Sequence, residues 1–234
     1  MPPQPPPAKT QPPTAQPPKT RRARTQPAKA GTRARPGTAP AGPAAGASAR
    51  ERLLAAANEL FYAEGVHTVG IDRVIEKAGV AKASLYNTFG SKDELVRAYL
   101  ESRHARTSAR IAGYLERYAT PGEKLLGVFE AQGELFTEPG FHGCAFVSAT
   151  SEAHGEQVGQ AADDYRAWVR SLLTGLAREA GAADPETLGR QLHMIYDGAS
   201  LSARMDRPAA PPAGSSPAAA ARAAARALLD AALG

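Results

Sequence analysis

Apolar residues recur every three or four positions through most of the chain beyond residue 50, which is the spacing of amphipathic α-helices. Glycine, proline and short polar stretches interrupt this spacing, and no segment alternates strictly between apolar and polar residues as a half-buried strand does. The sequence therefore predicts an all-α fold. The predicted helices run from a Ser48 cap to about residue 64 and then cover 71–78, 81–89, 92–118, 123–137, 143–153, 156–180, 185–205 and 218–233.

The stretch from residue 69 to residue 95 carries the most specific local pattern. An apolar stripe at positions i, i+3, i+4 and i+7 predicts a short helix, and Gly79 directly after it can adopt the left-handed conformation that ends a helix. In the next short helix Leu85 and Phe89 share one face, while the other face is polar and not acidic. Two short helices joined by a tight glycine turn indicate a helix-turn-helix, whose second helix fits the major groove of DNA.

Three consecutive motifs in this stretch resemble the tetracycline-repressor (TetR) family of bacterial transcription regulators. They are Ala78-Gly79-Val80, Leu85-Tyr86-Asn87-Thr88-Phe89 and Ser91-Lys92-Asp93-Glu94-Leu95. The chain departs from the family pattern at Ala81, where a serine or threonine usually caps the recognition helix, and at Thr88, where histidine is usual. The resemblance implies an N-terminal three-helix DNA-binding head joined to a C-terminal helical bundle that binds a ligand and forms dimers.

The predicted DNA contacts lie on the recognition helix and at the starts of the two neighbouring helices. Lys82 can donate hydrogen bonds to guanine, and Ala83 can pack against a thymine methyl group. The first residues of the preceding helix offer backbone N–H groups to phosphates. The family resemblance implies that Tyr86 and Lys92 clamp the phosphate backbone. The complete predicted set is Gly70, Ile71, Lys82, Ala83, Ser84, Tyr86, Asn87, Thr88 and Lys92.

By the same resemblance, the chain beyond residue 92 senses a ligand and forms the dimer. The predicted ligand-pocket residues are Phe129, Gln132, Phe136, Phe146, Trp168, His193 and Tyr196. The predicted dimer-interface residues are Leu188, Leu192, Ile195, Ala199, Leu228 and Leu229. Packing within one chain remains the alternative for both sets, because apolar side chains at helical spacing serve either purpose. No charged residue stands out as the partner of an ionic ligand, so the ligand's chemistry stays open.

Basic residues are unevenly distributed along the chain and are concentrated, without acidic residues, at its N-terminus. The first 49 residues hold eight basic residues and no acidic one, whereas the chain from residue 107 onward holds 11 basic and 15 acidic residues. Residues 1–47 are rich in proline and alanine, which predicts a disordered tail. This tail is either a solvated leader or an electrostatic arm for DNA phosphates. The predicted domains are thus the tail at 1–47, a helix-turn-helix domain at 48–91, and a ligand-sensing and dimerisation domain at 92–234.

Several other classes of protein find no support in the sequence. No apolar run is long enough to cross a membrane and no signal sequence is evident, so we expect a cytoplasmic, nucleoid-associated protein without a membrane partner. The single cysteine, Cys144, excludes an intrachain disulfide and is more typical of a small buried residue than of a redox sensor. His142, Cys144 and His154 lack the spacing of metal ligands. We predict no metal, no cofactor and no catalytic residues.

The sequence thus predicts a homodimeric TetR-type regulator. The expected function is that of a repressor that binds a palindromic double-stranded DNA operator and is released by a small-molecule inducer. Its two recognition helices would read half-sites about one helical turn, roughly 34–36 Å, apart. The alternative is a ligand-independent DNA-organising protein whose affinity comes mainly from the basic tail, and steep salt dependence without sequence preference would distinguish it.

Overall fold

The computed structural model describes residues 46–153, 155–206 and 216–234, and the predicted tail lies almost entirely outside these ranges. Within them the chain forms α-helices and no strand, which confirms the predicted all-α fold. The helices are α1 (Ala49–Glu64), α2 (Ile71–Ala78), α3 (Lys82–Phe89), α4 (Lys92–Leu115), α5 (Pro121–Phe136), α6 (Ala145–Glu152), α7 (Glu156–Glu179), α8 (Pro185–Met205) and α9 (Pro217–Leu233).

Hydrogen-bonding side chains determine where α1 and α5 begin. At α1 the predicted capping box is present: the Glu51 N–H donates to Ser48 Oγ at 3.2 Å, and the Ser48 N–H donates to the Glu51 carboxylate at 2.7 Å. Thr120 and Glu123 form the same reciprocal pair ahead of α5, with Pro121 at the first helical position. As a result α5 begins at 121, two residues before the predicted start at 123.

Helices α4 and α6 are shorter by several residues than the apolar pattern predicted. Helix α4 ends at Leu115 instead of residue 118, because the N–H groups of Arg117 and Tyr118 bond to carbonyls only three residues back and form a tighter turn. Helix α6 begins at Ala145 instead of residue 143, since Gly143 has a φ of +98°, outside the helical region. Apolar side chains continue past both ends, so the periodicity alone could not locate these boundaries.

The predicted turn between α2 and α3 is present. Gly79 is left-handed, with φ 62° and ψ 42°, and its N–H donates to the Glu76 carbonyl at 3.1 Å. The Val80 N–H donates to the Ile75 carbonyl at 3.3 Å, which completes the helix C-cap. Leu85 then anchors α3 in the core with its side chain fully buried. The turn and this anchor together set the orientation of α3.

Gly79→Ala is expected to lower the free energy of unfolding by about 1 kcal/mol. No atom lies within 4 Å of the position that a side-chain carbon would occupy, so the loss reflects only the left-handed backbone conformation. Gly79→Asn is the matched control and should lose less, because asparagine tolerates this conformation better. Chemical denaturation of both variants measures the difference, and an equal loss in the two would contradict a conformational origin.

Helix α4 connects the helix-turn-helix to the remainder of the bundle. It contacts α1 and α3 on one side and α5, α6 and α7 beyond them. Ser91, at the predicted boundary between two domains, caps α4 through its Oγ, which accepts the Glu94 N–H at 3.1 Å. Tyr99 and Leu100 are buried within the same helix. Because α4 is one continuous helix, a tilt of its C-terminal part would also displace α3.

The C-terminal helices pack around a core centred on α5 and α7. Helix α8 lies between α7 and α9, and α9 also packs on α5. Phe129, Leu173 and Leu192 are fully buried where these helices meet. Among the described residues, no helix combines the length and the apolar character that a membrane span requires.

The C-terminal helices expose other side chains than those that the sequence predicted for contact with a second copy. Leu188, Leu192, Ala199 and Leu229 are buried in the core of their own chain. Their side chains are already covered by helices of their own chain, so they have little surface left to offer a second copy. Ile195 and Leu228 are only partly buried. The neighbouring stripe of α8 is instead exposed, with Met194 73%, Leu201 56% and Met205 70% accessible to solvent.

Candidate functional sites

Helix α3 presents most of its predicted DNA-contacting side chains to solvent. Tyr86 has 46% of its surface exposed, which is unusual for a large aromatic residue in this protein. Ser84 is half-buried, and the Thr88 hydroxyl donates to its carbonyl oxygen at 2.6 Å. The exposed members of the predicted set on this helix are Lys82, Ala83, Tyr86, Asn87 and Thr88. Helix α3 is therefore free on the side that the helix-turn-helix geometry directs outward.

The first turns of α2 and α3 also carry uncapped backbone groups. Gly70 precedes α2 and Ala81 precedes α3, and neither supplies a side-chain hydrogen bond to the helix that follows. Apart from the Ser84 N–H, which donates to the Ala81 carbonyl at 2.9 Å, the N–H groups of these turns thus remain available to an external acceptor such as a phosphate. The start of α4 differs, since Ser91 already satisfies one of its N–H groups, and Lys92 beside it is half-buried.

Lys82, the residue predicted to read guanine, is held by a carboxylate in the free protein. Its Nζ lies 2.9 Å from Asp72 Oδ1, and this hydrogen bond raises the pKa of Lys82. Both side chains are well exposed, at 59% and 81%, so the pair is weak and can open when a stronger acceptor approaches. Lys82 must leave Asp72 to reach a base.

Asp72→Asn is expected to increase affinity for random-sequence duplex DNA by about threefold at low salt, because it removes a negative charge near the phosphates and frees Lys82. Asp230→Asn, an exposed aspartate on α9, is the matched control and should change little. Fluorescence anisotropy with a labelled duplex measures both variants. Unchanged or weaker binding by Asp72→Asn would show that the pair does not restrain Lys82 on DNA.

A cavity of about 120 Å³ lies among α4, α5, α6, α7 and α8. Three predicted ligand-pocket residues line it: Gln132, Phe146 and Tyr196. The Gln132 Nε2 donates to the Tyr196 carbonyl oxygen at 2.7 Å, which leaves its Oε1 buried without a partner among the described residues. Phe146 stacks on Tyr165 with 3.9 Å between ring centroids, and the Tyr165 and Tyr196 hydroxyl oxygens lie 3.2 Å apart. The wall is thus aromatic with a small polar centre.

The other four predicted pocket residues do not line this cavity. Phe129 is fully buried in the core, and Phe136 packs against Phe141 with 5.1 Å between ring centroids. Trp168 lies behind Tyr165, at 6.0 Å between ring centroids. His193 is buried on α8 with Nε2 3.7 Å from Asp197 Oδ1, and burial lowers its pKa. The structure thus places these four side chains outside this cavity, because helical spacing does not distinguish a core residue from one that lines a cavity.

Three arginines of α4 line the cavity and were missed in the sequence: Arg103, Arg106 and Arg110. Their spacing of three and four residues places them on one helix face. This was the signal that could have revealed them. Cys144, which is partly buried, lines the same cavity, and burial raises the pKa of its thiol and so favours the protonated form.

Tyr62 links the cavity to the helix-turn-helix. It lies near the end of α1, and the Arg103 guanidinium carbon lies 3.7 Å from the centroid of its ring. Its hydroxyl donates to the Gly143 carbonyl oxygen at 3.0 Å and accepts the His142 N–H at 3.1 Å. One side chain of α1 therefore contacts both the cavity wall and the loop between α5 and α6.

A helix-turn-helix with a free recognition helix, joined through α4 to a helical region with a cavity, defines a DNA-binding transcription regulator. Residues 53–99 match the family described as bacterial regulatory proteins, tetR family. A crystal structure of a TetR-family transcriptional regulator from Streptomyces coelicolor aligns with a TM-score of 0.72 and 30% identity, covering 80% of this chain and 96% of that one. The chain therefore belongs to the TetR family of transcriptional regulators.

Named relatives of this chain include both a repressor and an activator. The Escherichia coli repressor NemR is 26% identical over 170 residues, which are 68% of this chain and 85% of NemR. The activator FasR of Mycolicibacterium smegmatis is 47% identical over 55 residues, which are 24% of this chain and 25% of FasR. The chain thus spans only a quarter of FasR in that match. Both relatives are named as helix-turn-helix transcription regulators, whereas the sign of regulation differs between them.

Proposed function

We propose that the protein is a homodimeric transcriptional repressor that binds a palindromic operator in the cytoplasm and is released by a small molecule in the α4–α8 cavity. The helix-turn-helix at 48–91 contacts DNA, and the region at 92–234 senses the ligand and forms the dimer. The single observation that carries the proposal is that Tyr62 joins the DNA-binding head to the cavity wall, through its contacts with Arg103 and Gly143. The similarity to the repressor NemR supports the sign of regulation.

The proposed dimer surface is the exposed face of α8 together with α9. On α8, exposed residues at alternating spacings of four and three form one stripe: Thr187, Gln191, Met194, Gly198, Leu201 and Met205. A similar exposed stripe on α9 consists of Ala220, Ala224, Ala227 and Ala231. The exposed methionine and leucine side chains supply apolar surface, and the small residues beside them let helices approach closely. A second copy that covers both stripes completes a four-helix bundle.

The proposed release of DNA is a population shift between two positions of the head. A second contact supports this coupling: the His67 N–H, in the segment before α2, donates to Glu152 of α6 at 3.0 Å. A ligand that moves the α5–α6 loop displaces α1 through Tyr62, and one that moves α6 displaces the segment before α2 through His67. Heads that no longer match successive major grooves lose base contacts, so the ligand-bound state binds the operator less tightly.

Selection of genomic fragments by protein lacking residues 1–45 tests the proposal, followed by footprinting of the strongest fragment. The expected result is a compact palindromic footprint that persists without the basic tail and weakens when an effector is added. Binding that returns only with the tail, indifferent to sequence and steeply salt-dependent, would overturn it in favour of a DNA-organising protein. A transcription assay with the selected fragment then separates repression from activation.

A further inference from the structure

The charge of the cavity lining indicates what kind of ligand it accepts. Partly buried Arg103 and Arg110 and exposed Arg106 contribute three positive charges, and Glu138 is the single carboxylate among the described residues that line the cavity. The rest of the lining is aromatic, aliphatic or uncharged. Because a low-dielectric cavity strengthens interactions with unbalanced charge, this lining favours an anion.

Two of these arginines carry buried donors without partners. Arg103 Nε and Arg110 Nη1 are both buried and have no hydrogen-bond acceptor among the described residues. Burial is the main cause that lowers the pKa of Arg103, and the nearby Arg106 acts in the same direction. A buried donor that lacks an acceptor is costly, and a carboxylate is the acceptor that matches a guanidinium in shape and charge.

Arg110 is already engaged with an anionic group of the protein. Its Nη2 forms an ion pair with Glu138, which belongs to the segment between α5 and α6. The same segment contains His142 and Gly143, which hold the hydroxyl of Tyr62. An anion in the cavity would therefore compete with Glu138 for Arg110, next to the contact that reaches the DNA-binding head.

We propose that the effector is a small organic carboxylate with a compact apolar body, bound through Arg110 and Arg103 and competing with Glu138. This inference rests on the proposed ligand-responsive function and names the ligand class. The cavity of about 120 Å³ compares with the roughly 150 Å³ cavity that accommodates benzene, so one ring or a short chain fits. The unpartnered Gln132 Oε1 accepts any hydroxyl or N–H group that the ligand carries.

Calorimetry on the full-length protein without DNA tests this class, with benzoate, phenylacetate and hexanoate each compared with its own amide. At least one carboxylate is expected to bind ten times or more tightly than its amide. Arg110→Gln should remove that preference, whereas Glu138→Gln should strengthen carboxylate binding several-fold. Both variants break the same partly exposed ion pair, so damage to the structure alone would move both in one direction.

Arg178→Gln is the matched control, because Arg178 pairs with Glu186 on the surface, away from the cavity, and it should leave carboxylate binding unchanged. The proposal is overturned if no carboxylate binds more tightly than its amide, or if the Arg110 and Glu138 variants shift affinity in the same direction. A separate operator-release assay tests the proposed ligand-induced release of DNA, on which this inference rests. A carboxylate that binds through Arg110 but leaves DNA binding unchanged would refute ligand-induced release and retain the anion site.

Discussion

Replacing Met194 and Leu201 together with aspartate is expected to produce a folded monomer whose operator affinity is about 1,000-fold lower. In the proposed dimer these side chains face a second copy, and four buried charges without partners would prevent association. The loss in DNA affinity follows because dimerisation makes the second head bind at the high effective concentration of a linked site. Sedimentation velocity measures the first effect and anisotropy with an operator fragment the second.

Val147→Asp is the control for this prediction. Val147 is also exposed, at 51%, but it lies on α6 outside the proposed interface. It should remain dimeric and keep its affinity for DNA. If the Met194 and Leu201 variant stays dimeric with an unchanged circular dichroism spectrum, the interface lies on another face of the molecule.

Replacing Lys82 and Tyr86 with alanine is expected to weaken operator binding by roughly 100-fold or more. A specific base contact contributes about 1–3 kcal/mol, and each dimer loses the contacts twice. The two single variants should differ in kind. Lys82→Ala should lose discrimination at one base pair of each half-site, whereas Tyr86→Ala should weaken binding to all sequences, as loss of a phosphate contact does.

Lys77→Ala is the matched control, because this exposed lysine lies on α2 and pairs with Glu59 of α1. Binding to a library of single-base operator variants distinguishes the roles. If Lys82→Ala weakens every sequence equally, Lys82 contacts the backbone and another residue of α3 reads the bases. If neither single variant affects binding, α3 is not the recognition helix.

The basic residues of the head and those of the tail differ in their acidic neighbours. Arg73, Lys77 and Lys82 each form an ion pair with a carboxylate of the head. The eight basic residues of the first 49 have no acidic neighbour in that segment. We therefore expect the tail to contribute to the salt dependence of binding while the contacts of α3 determine the preferred sequence.

Local sequence was sufficient where neighbouring residues decide the structure. The capping box at Ser48, the stripe of α2 and the left-handed Gly79 each involve residues at most a few positions apart. Their hydrogen bonds and backbone preferences act before any distant packing, so the periodicity predicted the all-α fold and the helix-turn-helix. The three motifs of residues 78–95 likewise identified the family from one contiguous stretch.

Tertiary structure was needed wherever one helix face had to be assigned to a partner. Leu192 has the spacing of an interface residue and lies in the core, while Met194, two positions away, is exposed. Arg103 and Arg110 have the spacing of a solvated face, yet they line a cavity because the α5–α6 segment and α1 fold over them. Periodicity determines which side chains share a face. Whether a helix, a cavity or solvent meets that face depends on segments far apart in sequence. Their packing determines how deeply each side chain is buried and which charged groups surround it.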